Sequence, residues 1–111
     1  MSPMHLYDIA NARSGDKGRG ANIGVLAHSD GDYAFLVEHL SAARVQEYFH
    51  AMNPGEVVRY ELPNLNALNF VLPTILDGGG SRSLRIDAQG KALGQILLEM
   101  ELTNNRSLRA N

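Results

Sequence analysis

The sequence predicts an α+β fold in which a largely antiparallel sheet of about five strands carries two main helices packed on one face. Short apolar or alternating segments typical of strands flank two stretches with helical periodicity. Two pairs of these segments are joined by short turns, so few crossover connections are needed. The composition, with 44% hydrophobic and 20% charged residues, is that of a globular chain.

The first third of the chain predicts two strands around a glycine-rich loop. Residues 5–12 are expected to form the first strand. Residues 14–20 are expected to form a loop, because three glycines in six positions cost too much conformational entropy inside a helix or strand. The apolar run 22–27 is typical of a strand buried on both faces, and residues 29–32 predict the turn after it.

Helical periodicity follows over residues 33–52, where apolar side chains recur at spacings of three and four. The pattern breaks near Ser41, whose hydroxyl can cap a second helical segment by accepting a bond from a free backbone N–H. We therefore expect two short helices, or one bent helix, ending at residues 53–55.

The next two elements are predicted to be a strand and a helix. Val58, Tyr60 and Leu62 alternate with charged residues, which predicts a strand over 56–62 with one wet face. Pro63 ends that strand. A second amphipathic helix is predicted from apolar residues at helical spacing, namely Leu65, Leu68, Leu72 and Ile75.

The last third predicts a hairpin. Residues 77–81 read as a second glycine-rich loop, residues 84–86 as a strand and residues 87–90 as a turn. Residues 92–102 place every second side chain on one apolar face, which predicts a returning strand. Residues 1–102 are thus expected to form a single domain, and 103–111 a disordered tail. The resulting element order favours a ferredoxin-like split β-α-β arrangement.

Composition excludes several classes of protein. Ten basic and twelve acidic residues give a net charge of −2 without a block of like charge, which argues against nucleic-acid binding. The chain has no cysteine, which excludes disulfides and thiol catalysis. No apolar run approaches the roughly 20 residues of a membrane span, and the start does not resemble a signal peptide. We expect a cytoplasmic protein without a membrane partner.

The glycine-rich loops are candidates for a small anion site, although neither fits a nucleotide motif. Gly15 and Gly20 have the Walker A spacing, but the following lysine and hydroxyl are missing. Glycine N–H groups beside a cation can still hold a phosphate or carboxylate. The candidate ligand-binding residues are Ser14, Asp16, Lys17, Asn22, Arg82 and Ser83, with Gly15, Gly18, Gly78, Gly79 and Gly80 shaping the loops. The alternative is that these glycines only permit tight turns, which is the commoner case.

Other residues give weaker indications of chemistry. The four histidines show no metal-ligand spacing, so we expect no metal and no cofactor. No Gly-x-Ser-x-Gly elbow is present, and Asp16 is the one strong candidate for a titratable catalytic group. Asn66 and Asn69 would share one face of the predicted helix and could contact a ligand or partner. The residues leave open whether the protein is an enzyme.

Three stretches, over residues 6–25, 60–72 and 78–91, resemble one known family. The first contains Ser-Gly-Asp-Lys-Gly at 14–18 and Ala-Asn-Ile-Gly-Val at 21–25. The second contains Tyr-Glu-Leu-Pro at 60–63, and the third Gly-Gly-Gly-Ser-Arg-Ser-Leu-Arg at 78–85. The chain resembles the ferredoxin-fold domain at the C-terminus of the acyclic terpene utilisation protein A (AtuA) family over residues 5–101.

The resemblance implies a ferredoxin-like fold and a place beside a larger protein. In that family the domain commonly follows a much larger N-terminal domain, and some members are associated with catabolism of terpenes through acyl-CoA intermediates. The 111 residues contain no such large domain, so we expect a stand-alone chain. We expect an accessory or interaction module, either a homo-oligomer or the partner of a separately encoded large AtuA-like chain. The alternative is a binding protein or enzyme for a carboxylate or CoA ester, using the two glycine-rich loops.

Overall fold

Four strands and three helices make up the residues that the computed structural model describes, 4–76 and 91–102. The strands are β1 (Ala10–Lys17), β2 (Gly20–Ala27), β3 (Val58–Leu62) and β4 (Ala67–Leu72). The helices are α1 (Asp30–His39), α2 (Ala42–Tyr48) and α3 (Lys91–Leu98). Short 3-10 turns precede β1, follow α2 and join β3 to β4, at Leu6–Asp8, His50–Met52 and Pro63–Leu65.

The strands form one antiparallel sheet in the order β1-β2-β4-β3. Strands β2 and β3 lie on either side of β4 and run in the same direction, with α1 and α2 between them in the chain. Strands β4 and β1 likewise lie on either side of β2, and α3, which follows β4, packs on β1. Two interleaved β-α-β units of this kind are the ferredoxin-like arrangement. The α+β, ferredoxin-like prediction is confirmed, with four strands among the described residues rather than about five.

Among the described residues, the order of the elements along the chain is a cyclic permutation of the usual one. A ferredoxin-like chain runs β-α-β-β-α-β, and moving its last strand to the front gives β-β-α-β-β-α. The described residues follow this order, with α1 and α2 together in the place of the first helix. The segment after α3 accordingly returns beside the segment before β1. The Leu6 N–H donates to the Met100 carbonyl at 2.9 Å, and the Leu102 N–H donates to the Met4 carbonyl at 2.7 Å.

The sheet has a helix face, on which the helices pack, and an open face, which bears the alternating side chains. On the helix face Ile23, Val25, Leu68, Phe70 and Leu72 are completely buried. Buried helix residues pack against them, including Leu36, Val45, Leu93 and Leu97. The core therefore lies on one side of the sheet, between strands and helices. The prediction that the strand over 22–27 is buried on both faces is wrong, because Leu26 on the open face is exposed.

The N-terminal hairpin differs from the prediction at both ends. Residues 6–8 form a 3-10 turn instead of a strand, and β1 continues through residues 14–17, where a loop was predicted. Only Gly18 and Arg19 separate β1 from β2, and Gly18 takes a φ of 64°. A two-residue turn needs such a positive φ at its first central position, which glycine supplies without strain. The entropy argument for a loop failed because the neighbouring glycines fit extended strand.

The two helices after β2 follow the prediction more closely. Ser41 separates α1 from α2, and its hydroxyl accepts a 3.1 Å bond from the Arg44 N–H, so the predicted cap is confirmed. The turn predicted at residues 29–32 is wrong. Ser29 instead caps α1 by accepting from the Asp32 N–H at 3.0 Å, and the acidic residues that follow suit the positive end of a helix.

Strand β3 is confirmed, but its orientation is the reverse of the expected one. Its apolar residues Val58, Tyr60 and Leu62 point to the open face, and Arg59 points toward the helices. One guanidinium nitrogen of Arg59 donates to the carbonyls of Val37 and Leu40, both at 3.0 Å. These carbonyls belong to the last turn and cap of α1, where a cation is stabilising.

The helix predicted around residues 65–75 is wrong, because β4 occupies residues 67–72. Leu68, Phe70 and Leu72 alternate on the helix face, and this period of two outweighs the chance spacing of the leucines. Asn66 has a φ of 52° and ends the 3-10 turn between β3 and β4. It therefore does not share a helical face with Asn69.

The strand predicted over residues 92–102 is also wrong, because α3 occupies residues 91–98. Leu93 and Leu97 are completely buried and four residues apart, which is the spacing of one helix face. The period-two interpretation had left out these two leucines. The loop at 77–81, the strand at 84–86, the turn at 87–90 and the tail at 103–111 lie outside the described residues.

We predict that replacing Gly20 with alanine destabilises the fold. A Cβ at Gly20 would lie 2.5 Å from the Pro73 carbonyl oxygen and 2.6 Å from that of Leu72. Because backbone atoms cannot move aside without breaking the end of β4, Gly20→Ala should lower the free energy of unfolding by about 2–3 kcal/mol. Urea denaturation measures this change. Gly15→Ala is the control, since its Cβ would meet only Asn22 Oδ1 at 3.7 Å; equal losses in both variants would contradict the prediction.

We predict an alkaline loss of stability that depends on Tyr48. The Tyr48 hydroxyl donates to the Ile96 carbonyl at 2.6 Å, and burial, followed by the Glu99 charge, raises the pKa of this tyrosine. Its stabilising effect is therefore complete below its ordinary pKa of about 10 and disappears as the pH rises through the higher folded value. Tyr48→Phe should cost about 1 kcal/mol at neutral pH and flatten the alkaline decline in urea denaturation. An unchanged alkaline decline would contradict this assignment.

Candidate functional site

The predicted ligand site begins with Ser14, which lies in the middle of β1 on the helix face. Its hydroxyl accepts a 3.0 Å bond from the Gly94 N–H in α3. A Cβ on Gly94 would come within 3.3 Å of that hydroxyl and 3.4 Å of Ala12 Cβ, so the helix approaches the strand closely at this glycine. Ser14 therefore anchors α3 on the sheet.

Two other predicted site residues lie on opposite faces of the hairpin. Asp16 pairs with Ala21, which is buried on the helix face, and Asn22 pairs with Gly15 on the open face. The Asn22 side-chain amide donates to Asn69 Oδ1 at 3.1 Å. Consecutive residues of a strand point to opposite sides, so a small ligand on one face of the sheet cannot contact both side chains.

At the remaining predicted site residues the structure does not test the predicted anion site. Lys17 ends β1 opposite Gly20, and Gly18 forms the hairpin turn. Arg82 and Ser83, together with Gly78, Gly79 and Gly80, lie outside the described residues. An anion site built from both glycine-rich segments therefore stays a prediction.

The open face carries a group of side chains that the sequence did not identify as functional. Its apolar part consists of Leu26, Val58, Tyr60 and Leu62, which are 38%, 41%, 53% and 40% exposed. The Asn22–Asn69 hydrogen bond lies beside them, near the centre of the sheet. The alternation of apolar residues in β3 signalled these positions, but it suggested that they were buried.

A separate cleft of about 470 Å³ lies where α2 ends, near the segment that follows β4. It brings together an acid, an imidazole, two amides and a hydroxyl, and it is lined by Gln46, Glu47, His50, Asn53, Pro54, Gly55 and Thr74. Part of this lining is structural, because Gln46 Oε1 accepts from the Val57 N–H and the Thr74 hydroxyl donates to the Asn53 carbonyl. The cleft can offer hydrogen bonds to a polar molecule, and no sequence motif indicated it.

The described part of the chain contains neither a metal-ligating cluster nor a membrane-spanning helix. Residues 4–76 and 91–102 contain no group of three or more metal-ligating side chains. No helix in those ranges has the length and apolar character needed to cross a bilayer. The buried Tyr33 hydroxyl has no hydrogen-bond partner among the described residues.

A sequence model of the family described as the AtuA ferredoxin-like domain matches residues 4–103. No curated protein and no solved structure matches the chain. The matched range includes both strand pairs and all three helices described above.

We predict that Ser14 matters more for stability than its exposed neighbour Asp16. Ser14→Ala leaves the Gly94 N–H without its acceptor beneath α3, which should cost about 1–3 kcal/mol. Asp16→Asn changes an exposed side chain on the same strand and face and should stay within about 0.5 kcal/mol of the wild type. Urea denaturation compares the two variants. An unchanged Ser14→Ala variant would show that this hydrogen bond does not hold the helix in place.

Proposed function

Because the chain belongs to the AtuA ferredoxin-like domain family, we propose that it acts as an accessory or interaction module of a larger assembly. The observation that carries this proposal is the apolar part of the open face. Val58, Tyr60 and Leu62 face outward on β3, and Leu26 extends the patch onto β2. Contiguous exposed apolar side chains on a sheet typically mark a surface where another molecule binds.

Energetics support an interaction surface at this position. Complete burial of one large apolar side chain is worth about 1.5–3 kcal/mol, and these four remain between one-third and just over one-half exposed. A partner covering the open face would recover much of that free energy. The same residues cannot turn inward, since the helix side of β3 is taken by Arg59 and its bonds to α1.

The polar residues give less support to catalysis. The Ser14 hydroxyl is bonded to the backbone of α3, and Asp16 and Asn22 lie on opposite faces. An interaction module needs no shared site for these residues, so it accounts for their positions more simply than an enzyme does.

The family gives the assembly a proposed context. AtuA stands for acyclic terpene utilisation. We therefore place this module in the degradation of terpene-like compounds, which proceeds through acyl-CoA intermediates. Its partner would be a separately encoded large AtuA-like chain or another copy of this chain. Either partner would bind at the open face.

We predict that Tyr60→Asp prevents association with a large AtuA-like chain that lacks its own ferredoxin-like domain. The two chains are co-expressed, and their complex is measured by size-exclusion chromatography with light scattering. A charge at a 53%-exposed position should weaken the complex strongly without unfolding the sheet. Tyr7→Asp, at a 46%-exposed tyrosine outside the sheet, is the matched control and should leave the complex intact.

Two results would overturn the proposed function. One is the absence of both a complex with the large chain and self-association at high concentration. The other is a complex that Tyr60→Asp and Tyr7→Asp weaken equally, since the open face would then not be the binding surface.

A further inference from the structure

We propose that the open face binds a second copy of this chain, with the two-fold axis parallel to the strands and between β2 and β4. The inference rests on the proposed interaction module and names a partner for it. It follows from the order of large and small residues across the sheet, not from the amount of apolar surface alone.

Three rows of residues cross the open face. Each row contains one residue from each strand, in the order β1, β2, β4 and β3. The rows are Asn11, Leu26, Ala67 and Leu62; Arg13, Gly24, Asn69 and Tyr60; and Gly15, Asn22, Val71 and Val58. The middle row begins with a cation and ends with an exposed aromatic ring, with a glycine between them. Size and charge are therefore distributed unequally along each row.

A two-fold axis parallel to the strands lays each row of one copy over the same row of the other in reverse order. Arg13 then faces Tyr60 of the second copy, and Gly24 faces Asn69. In the outer rows Gly15 faces Val58, Leu26 faces Ala67, Asn11 faces Leu62 and Asn22 faces Val71. Three of the six contacts therefore place a large side chain over a small one, which favours close packing between the two sheets.

Each contact of this kind occurs twice, because a two-fold interface is self-complementary. The guanidinium of Arg13 would lie over the ring of Tyr60 in both directions, which is a favourable cation–π arrangement. An axis perpendicular to the strands gives the opposite result. It places Arg13 near Arg13 and Gly24 over Gly24, so like charges approach and a gap opens at the centre.

The size of the face suits a weak dimer. From the spacing and rise of the strands, the open face measures roughly 400 Å² in the plane of the sheet. This is about half of the ~800 Å² per partner of a standard interface, so we expect the dimer to form at high protein concentration. The net charge of −2 on each chain is too small to oppose self-association strongly.

The orientation is tested by a spin label at the end of β2. The chain has no cysteine, so His28→Cys introduces a single labelling site just beyond that strand. With the axis parallel to the strands the two labelled Cα atoms lie about 11 Å apart, and with the perpendicular axis about 28 Å apart. Dipolar broadening of the spectrum at dimer-forming concentrations supports the parallel axis, and an unbroadened spectrum from a dimer overturns it.

The packing is tested by filling the space over Gly24. A Cβ there would meet its nearest atoms at 3.8 and 3.9 Å, so Gly24→Val fits within one chain and should fold. Opposite Asn69 of the second copy it is overpacked, and the dimer dissociation constant from sedimentation velocity should rise about tenfold or more. Adding Asn69→Ala in the same chain should restore dimerisation. Gly31→Val, at a glycine in α1 with similar space, is the control and should leave the constant unchanged.

The outcomes separate this inference from the proposed function. A chain that stays monomeric up to millimolar concentration but binds the large AtuA-like chain through Tyr60 overturns the dimer and supports the module. A dimer that Gly24→Val leaves intact, or that Asn69→Ala does not restore, also overturns the proposed packing. Broadened spectra, weakening by Gly24→Val and restoration by Asn69→Ala together support the dimer.

Discussion

The position of Arg59 determines how the rest of the sheet is presented. Its guanidinium lies under α1, where one nitrogen reaches the carbonyls of Val37 and Leu40 and another lies 2.7 Å from Glu61 Oε2. Arginine stays charged, so withdrawing it from water requires partners of this kind. A shift of β3 by one residue would carry Arg59 to the other face and leave the end of α1 without its donor. The strand is thereby fixed with its apolar side outward.

This constraint connects the core to the surface. On most two-layer sheets the apolar side of an edge strand packs under the helices and the polar side faces water. Here Arg59 occupies the helix side of β3 and donates to carbonyls of α1. Three large side chains of β3 therefore remain on the open face. The feature that stabilises α1 therefore also creates the surface to which we assign binding.

Sequence patterns predicted features that depend on neighbouring residues, but they did not predict contacts between residues far apart in the chain. The Ser41 cap was predictable because its hydroxyl bonds to a backbone group three residues away. Strand β3 was predictable from alternation. Which face its apolar side chains occupy depends on the bonds from Arg59 to carbonyls about 20 residues earlier in the chain. Among the predicted site residues, the partner of Ser14 is 80 residues away and that of Asn22 is 47 away, and no local pattern reports either pairing. The helix α3 was missed because two competing periodicities fit the same segment.

The pairing of residues 4–6 with residues 100–102 has a consequence for how the chain folds. These hydrogen bonds join segments separated by almost the whole described chain, and so does the Ser14–Gly94 contact. Closing so long a loop costs conformational entropy before any contact forms to offset it. The β1–β2 and β3–β4 pairs are local hairpins, which can form early. The pairing of β2 with β4 joins the two hairpins into one sheet. The docking of α3 and the joining of the two segments are expected to follow and to complete folding.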